Sequence, residues 1–216
     1  MRVTGLYTPC WAHSDDTKQS TRMSRVIGAA GYSLIELFFA LSVMATLAGV
    51  AVPLVSTIID DLHAAGGARH LAARVASVRI DAVRRSSSVA LRFERQGSDY
   101  AFTVFVDGNG NGVRAADITA GIDRPTGRRE RLDDFFPHVS FGLLDGIPDI
   151  DGGTGNTDGV RIGSTAFLSV SPNGSCTSGT LYVHGRRTQY AIRILGATGR
   201  ARFYRYDQGG RRWITR

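Results

Sequence analysis

Between Glu36 and Asp60 the chain carries no charged side chain: Leu37 to Ile59 is an uninterrupted run of 23 residues, nearly all apolar or small. As an α-helix rising about 1.5 Å per residue it spans roughly 35 Å, enough to cross the hydrocarbon core of a bilayer. A globular helix of that length would show a polar stripe, and this one has none. Asp60 and Asp61 end the run, and Arg22 and Arg25 precede it. That asymmetry places the N-terminus in the cytoplasm and the rest of the chain on the far side. An ordinary secretory signal is cut after its apolar segment. Here the small-residue run Gly28-Ala29-Ala30-Gly31 comes before it, so cleavage there would leave the hydrophobic helix attached.

The helical pattern continues past Asp61. Leu71, Val75, Val78 and Ala82 recur at spacings of four, three and four, the apolar face of an amphipathic helix. Gly66-Gly67 reads as a soft spot in it, and Ser86-Ser87-Ser88 as its end, so the predicted helix runs from near Ser33 to near Arg85. The remainder reads as strands: 89–94, 100–106, 135–141, 166–170, 180–183, 189–195, 200–206 and 211–214, with turns at 96–99, Gly185-Arg186 and Gly209-Gly210. The predicted fold class is α+β: one long N-terminal helix, transmembrane in its first half, packed on a β-sandwich-like antiparallel head.

The chemistry of the chain is narrower than its length of 216 residues allows. No phosphate-binding loop, H-E-x-x-H or nucleophile elbow occurs, and no Ser/His/Asp set stands out, so no enzyme is expected. Cys10 and Cys176 exclude a disulfide-rich scaffold and a cysteine-only zinc site. The formal charge is +7, and Lys18 is the only lysine; every other cation is arginine. Either a codon habit or phosphate and carboxylate binding accounts for that bias. The charge is also segregated: residues 96–185 sum to −5 and residues 186–216 to +8.

Gly31-Tyr32-Ser33-Leu34-Ile35-Glu36-Leu37 resembles the prepilin processing site. The resemblance implies that a prepilin peptidase cuts after Gly31 and methylates the new amino group of Tyr32, a position where the family usually has Phe. It also implies a helix-kinking role for Pro53. Glu36 becomes the fifth mature residue. A carboxylate in lipid costs roughly 2.5–3.5 kcal/mol on insertion scales and needs a partner. The resemblance supplies one in the N-terminal amine of a neighbouring subunit; the alternative is a helix-start carboxylate at headgroup level. A start at Met23 would give a leader of nine residues. Cleavage would also remove Cys10 and leave Cys176 unpaired, with burial expected to keep it inert.

A second resemblance lies in the head. Phe167 to Gly179, Thr180-Leu181-Tyr182-Val183, Tyr190 to Ile194, Gly199-Arg200-Ala201-Arg202 and the loop Val104 to Gly112 are similar to the GspH/FimT family of minor pseudopilins and minor pilins. The implied organisation is a leader at 1–31, a transmembrane helix at 32–61, its amphipathic continuation at 62–87 and a periplasmic head at 88–216. The implied role is a structural subunit of a type II secretion pseudopilus or type IV pilus. It would sit in the inner membrane before joining the filament, act in initiation or at the tip, and meet other major and minor pilin-like subunits.

Two further sites are candidates. Asp107, Asn109 and Asn111, followed by Gly112, place oxygens as a calcium loop begins, with Asp117 near the closing position. The competing reading is a Gly/Asn turn that needs no cofactor, and none is otherwise expected. Asp145 to Gly159, rich in Asp and Gly, reads as a flexible, solvated loop. On the basic C-terminal strand, Arg200, Arg202 and Tyr204 share one face and Ala201, Phe203 and Arg205 the other, with Arg193 on the preceding strand. Arginines interleaved with aromatics suit phosphate contact and base stacking. Gly199-Arg200-Ala201-Arg202 also matches the motif that FimT-like minor pilins use in DNA uptake. The alternatives are subunit contact and a soluble strand edge.

Overall fold

A computed structural model describes residues 31–215; the leader, Met23 and Cys10 lie outside the described residues. The chain divides into two units, Met1–Ala45 and Thr46–Arg216. Helix α1 (Leu34–Arg85) belongs to both. In the first unit, residues 31–33 precede the helix without regular secondary structure, the Leu37 N–H donates to the Ser33 carbonyl (3.1 Å), and every described side chain is exposed.

In the second unit α1 runs on through Pro53. Proline has no N–H to give the preceding turn, while the Ser56 and Thr57 hydroxyls donate to its carbonyl (2.9 and 3.0 Å). The helix stays exposed to Ile59 and then buries one face: Ala64, Ala65, Gly67, Ala68, Leu71, Val75, Val78 and Ala82. The predicted face is therefore correct and begins earlier. Its first turns are lined by Ala and Gly, which give little hydrophobic signal. Gly66-Gly67 is not a soft spot. The helix is unbroken there, and a Cβ at Gly66 would lie 2.6 Å from Phe136 Cε1, one at Gly67 2.9 Å from Val139 Cγ1. The glycines form a notch for those side chains. Helix α1 ends in a Schellman arrangement, with Ser86 at φ 50°, Ser86 N–H on Val83 O and Ser87 N–H on Ala82 O (both 3.3 Å).

The strands are β1 (Val89–Gln96), β2 (Asp99–Val106), β3 (Arg124–Pro125), β4 (Glu130–Arg131), β5 (Ser140–Phe141), β6 (Val160–Ile162), β7 (Phe167–Val170), β8 (Gly179–His184), β9 (Gln189–Leu195), β10 (Arg200–Asp207) and β11 (Arg212–Thr215). A short helix α2 (Ala115–Thr119) follows β2. All pairings are antiparallel. One sheet has the order β3-β2-β1-β7 with β4 also on β2, the other β11-β10-β9-β8-β5 with β6 also on β8. The inward residues of both sheets, among them Leu91, Phe93, Phe102, Leu181, Ile192 and Ile194, share one core with Leu71, Val75 and Val78 of α1. This is the predicted α+β, pilin-like architecture.

The predicted strand 135–141 shrinks to β5. Pro137 cannot donate to a ladder, and the Phe135 and Phe136 N–H groups turn back onto Leu132 O (3.1 and 2.8 Å). The turn so formed carries Phe136 and Val139 to the glycine notch. The expected flexible loop at 145–159 is also tied down. Asp149 pairs with Arg161 (2.6 Å), Asp151 with Arg193 (2.8 Å), and Asp158 accepts from the Tyr100 hydroxyl (2.8 Å).

Candidate functional site

Gly31 and Tyr32 lie just ahead of α1, outside any helix or strand. Nothing lies within 4 Å of where a Gly31 Cβ would be, and the Tyr32 side chain is exposed. This peptide is thus uncovered. Glu36 falls in the first helical turn, exposed, and has no partner among the described residues. Downstream, α1 is the one described helix long and apolar enough to cross a membrane.

Asp60 and Asp61 do more than end the apolar span. The Asp60 carboxylate, just past the charge-free run, accepts the backbone N–H groups of Arg186 (2.6 Å), Arg187 (2.9 Å) and Thr188 (3.2 Å) and the Thr188 hydroxyl (3.1 Å). Burial pushes its pKa up, but these four donors outweigh that and hold it below the ordinary 3.8. A Cβ at Gly185 would collide with this carboxylate. Asp61 accepts from the Tyr190 hydroxyl (2.9 Å) and pairs with Arg205 (3.3 Å). The two aspartates thus fasten α1 to the β8–β9 hairpin and to β10. Nothing in their spacing signals this, because the partners lie more than 120 residues away.

The four candidate arginines, Arg193 on β9 and Arg200, Arg202 and Arg205 on β10, divide. Arg205 is engaged by Asp61, and Arg193 donates to both oxygens of Asp151 (2.8 and 3.4 Å), which raises the Arg193 pKa. Arg200 and Arg202 stay exposed and unpaired among the described residues. Arg202 stands directly across from Arg193. Ala201 and Phe203 turn inward onto the core, and Tyr204 packs on the opposite face with Leu143, Tyr182 and Trp213. Tyr204 is therefore a packing residue, not a free stacking platform. Gly199, at φ 61°, is the left-handed residue of the β9–β10 turn, and a Cβ there would meet Arg79 Cδ at 2.9 Å. The glycine of the Gly-Arg-Ala-Arg run thus has a packing reason of its own.

In the 107–112 loop the Asp107 carboxylate is already satisfied. Oδ1 accepts the Asn109 and Gly110 amides (3.0 and 2.7 Å) and Oδ2 the Gly112 amide (2.7 Å). Burial pushes the Asp107 pKa up, and its amide donors bring it below the ordinary 3.8. The Asn109 side-chain oxygen accepts the Asn111 amide (3.2 Å). Asp123, which the sequence reading did not single out, bridges the loop by accepting the Gly108 and Arg114 amides (3.0 and 2.9 Å). Asp117 lies on α2 with one carboxylate oxygen buried and unpaired. Among the described residues no group of three or more His, Cys, Asp or Glu side chains is placed to hold a metal. Cys176 is a half-buried free thiol whose pKa burial pushes up.

One long helix, apolar and exposed in its first part and built into an antiparallel β head in its second, is a pilin-like architecture. Pilin-like protein PilA1 of Thermus thermophilus is 36% identical over 81 residues, which cover 38% of this chain and 50% of that protein. The chain is thus a distant relative of a pilin-like protein, matched over half of that relative's length. No family model matches the chain, and no solved structure matches it.

Proposed function

We propose that this chain is a non-catalytic, membrane-anchored minor pilin-like subunit. Held first in the inner membrane with its head in the periplasm, it is drawn into a type II secretion pseudopilus or a type IV pilus and acts in initiation or at the tip. The observation that carries the reading is the junction at Gly31-Tyr32. An exposed segment outside any helix or strand leads directly into a helix with a long charge-free run, and the far half of that helix forms part of the head core. A prepilin peptidase is the processing partner, and neighbouring pilin-like subunits are the assembly partners. Mass spectrometry of the chain from membranes tests this. The expected N-terminus is N-methylated Tyr32; an unprocessed chain, or one cut after the apolar segment, overturns the proposal.

A second reading, a DNA-binding minor pilin serving DNA uptake, is supported by one observation: Arg200 and Arg202 face solvent without carboxylate partners, beside a C-terminal segment of net positive charge. Subunit contact uses the same two side chains, so the readings separate by ligand and not by location.

A further inference from the structure

Strand β11 covers only half of β10. Their register runs from Tyr204 opposite Thr215 to Asp207 opposite Arg212. Arg200–Phe203 therefore pair with β9 on one side and, among the described residues, with no backbone on the other. In an antiparallel ladder, alternate residues turn N–H and C=O to the same side. This half strand thus offers unmet donors and acceptors, a template for an added strand.

Beside that edge runs a groove of about 570 Å³ between β10 and α1, with no residue of β9 or β11 in its lining. Its floor is apolar: Ala72, Ala76, Ile80 and Val83 from α1, with Ala201 and Phe203 from β10. Ile80 is 57% and Val83 51% exposed, although both lie on the part of α1 that is packed in the head. Arg79, Arg84 and Arg200 rim the groove, and no carboxylate lines it.

The alternation of β10 dictates what fits. Residues of an added strand opposite Ala201 and Phe203 point into the groove and must be apolar; those opposite Arg200 and Arg202 point outward beside two unpaired cations and are best acidic. We propose that this edge and groove receive an extended segment of another polypeptide, alternating apolar and acidic residues, which adds as a strand to Arg200–Phe203. The inference goes beyond the subunit role above and stands on the groove's own geometry.

The test uses the full chain in lipid nanodiscs and a labelled peptide Val-Asp-Ile-Glu-Val-Asp-Ile, read by fluorescence anisotropy. Saturable binding is expected, at least tenfold tighter than that of the lysine version Val-Lys-Ile-Lys-Val-Lys-Ile. N-methylation of alternate peptide amides, in the phase that faces β10, should abolish it. Ile80→Glu, at an exposed position, should weaken it at least tenfold with the melting temperature unchanged, and Val83→Glu should do the same. Absence of binding, equal binding of the two peptides, or indifference to N-methylation overturns the proposal. So does displacement of the peptide by duplex DNA with no effect of Ile80→Glu, which would make the surface a phosphate reader.

Discussion

Asp60 of the long helix and Thr188 of the β8–β9 hairpin, 128 residues apart, are joined twice: the Thr188 amide and hydroxyl both donate to Asp60 Oδ2, at 3.2 and 3.1 Å. With the Arg186 and Arg187 amides on Oδ1 and Oδ2, one carboxylate organises the whole hairpin tip. Asp60→Ala leaves those donors to solvent and should cost about 1–2 kcal/mol. The folded pKa lies below the ordinary 3.8, so this stabilisation is present above that value and is lost as pH falls through the lowered folded value. Urea unfolding of the full chain in detergent should show the variant weaker at pH 7, with the gap narrowing below about pH 3.8. A gap that widens on acidification would contradict this.

How much of this was legible in the sequence differs by element. The apolar span could be read from its missing charges, and β1, β2, β9 and β10 from apolar residues recurring on the face that packs on the core: Leu91 and Phe93, Phe102, Ile192 and Ile194, Ala201 and Phe203. The glycine notch could not, because Gly66 and Gly67 announce flexibility while their role depends on Phe136 and Val139, some 70 residues on. Nor could the separation of Arg193 and Arg205 from Arg200 and Arg202. Charge composition counts all four alike; only the fold brings Asp151 and Asp61 to two of them.

The notch gives a prediction with a reversal of sign. In a helix interior Gly→Ala ordinarily stabilises by about 0.5–1 kcal/mol. At Gly66 the new methyl would stand 2.6 Å from the Phe136 ring, and overpacking of that kind typically costs about 1–3 kcal/mol. Gly66→Ala should therefore destabilise the chain. Combined with Phe136→Ala, the same change should become stabilising relative to Phe136→Ala alone. Thermal unfolding of the three variants checks this, and a stabilising Gly66→Ala in the otherwise unchanged chain would remove the notch from the account.

The 107–112 loop predicts a separation between folding and metal. Asp107 is only 8% exposed and holds three amides, so Asp107→Ala should cost about 1–3 kcal/mol with no cation present. Calcium titration of the full chain by calorimetry, with melting followed in parallel, is expected to give no heat and no shift. A calcium-dependent rise in melting temperature that Asp107→Ala abolishes would establish the loop as a calcium site.

The divided arginines separate structural from ligand-binding roles. On the DNA reading the full chain shifts duplex DNA at low salt, and Arg200→Gln with Arg202→Gln abolishes the shift while melting is unchanged. Arg205→Gln should behave differently. It breaks a half-exposed pair with Asp61, lowering stability by about 0–1 kcal/mol, and leaves any DNA shift nearly intact. A shift that survives the double substitution would take Gly199-Arg200-Ala201-Arg202 out of the interface.

Glu36 separates processing from assembly. It lies in the first turn of α1, exposed and without a partner among the described residues, while Gly31 and Tyr32 precede the helix. A carboxylate that enters the apolar interior of a filament needs a cation, and the proposed one is the N-terminal amine of a neighbouring subunit. Glu36→Ala should leave cleavage after Gly31 and methylation of Tyr32 unchanged by mass spectrometry, because the segment ahead of the helix is untouched. Recovery of the chain in sheared filament fractions should fall severalfold. Glu36→Asp, one methylene shorter, should restore it in part; equal recovery of the Ala variant and the unchanged chain would show that Glu36 marks only the start of a helix at the membrane surface.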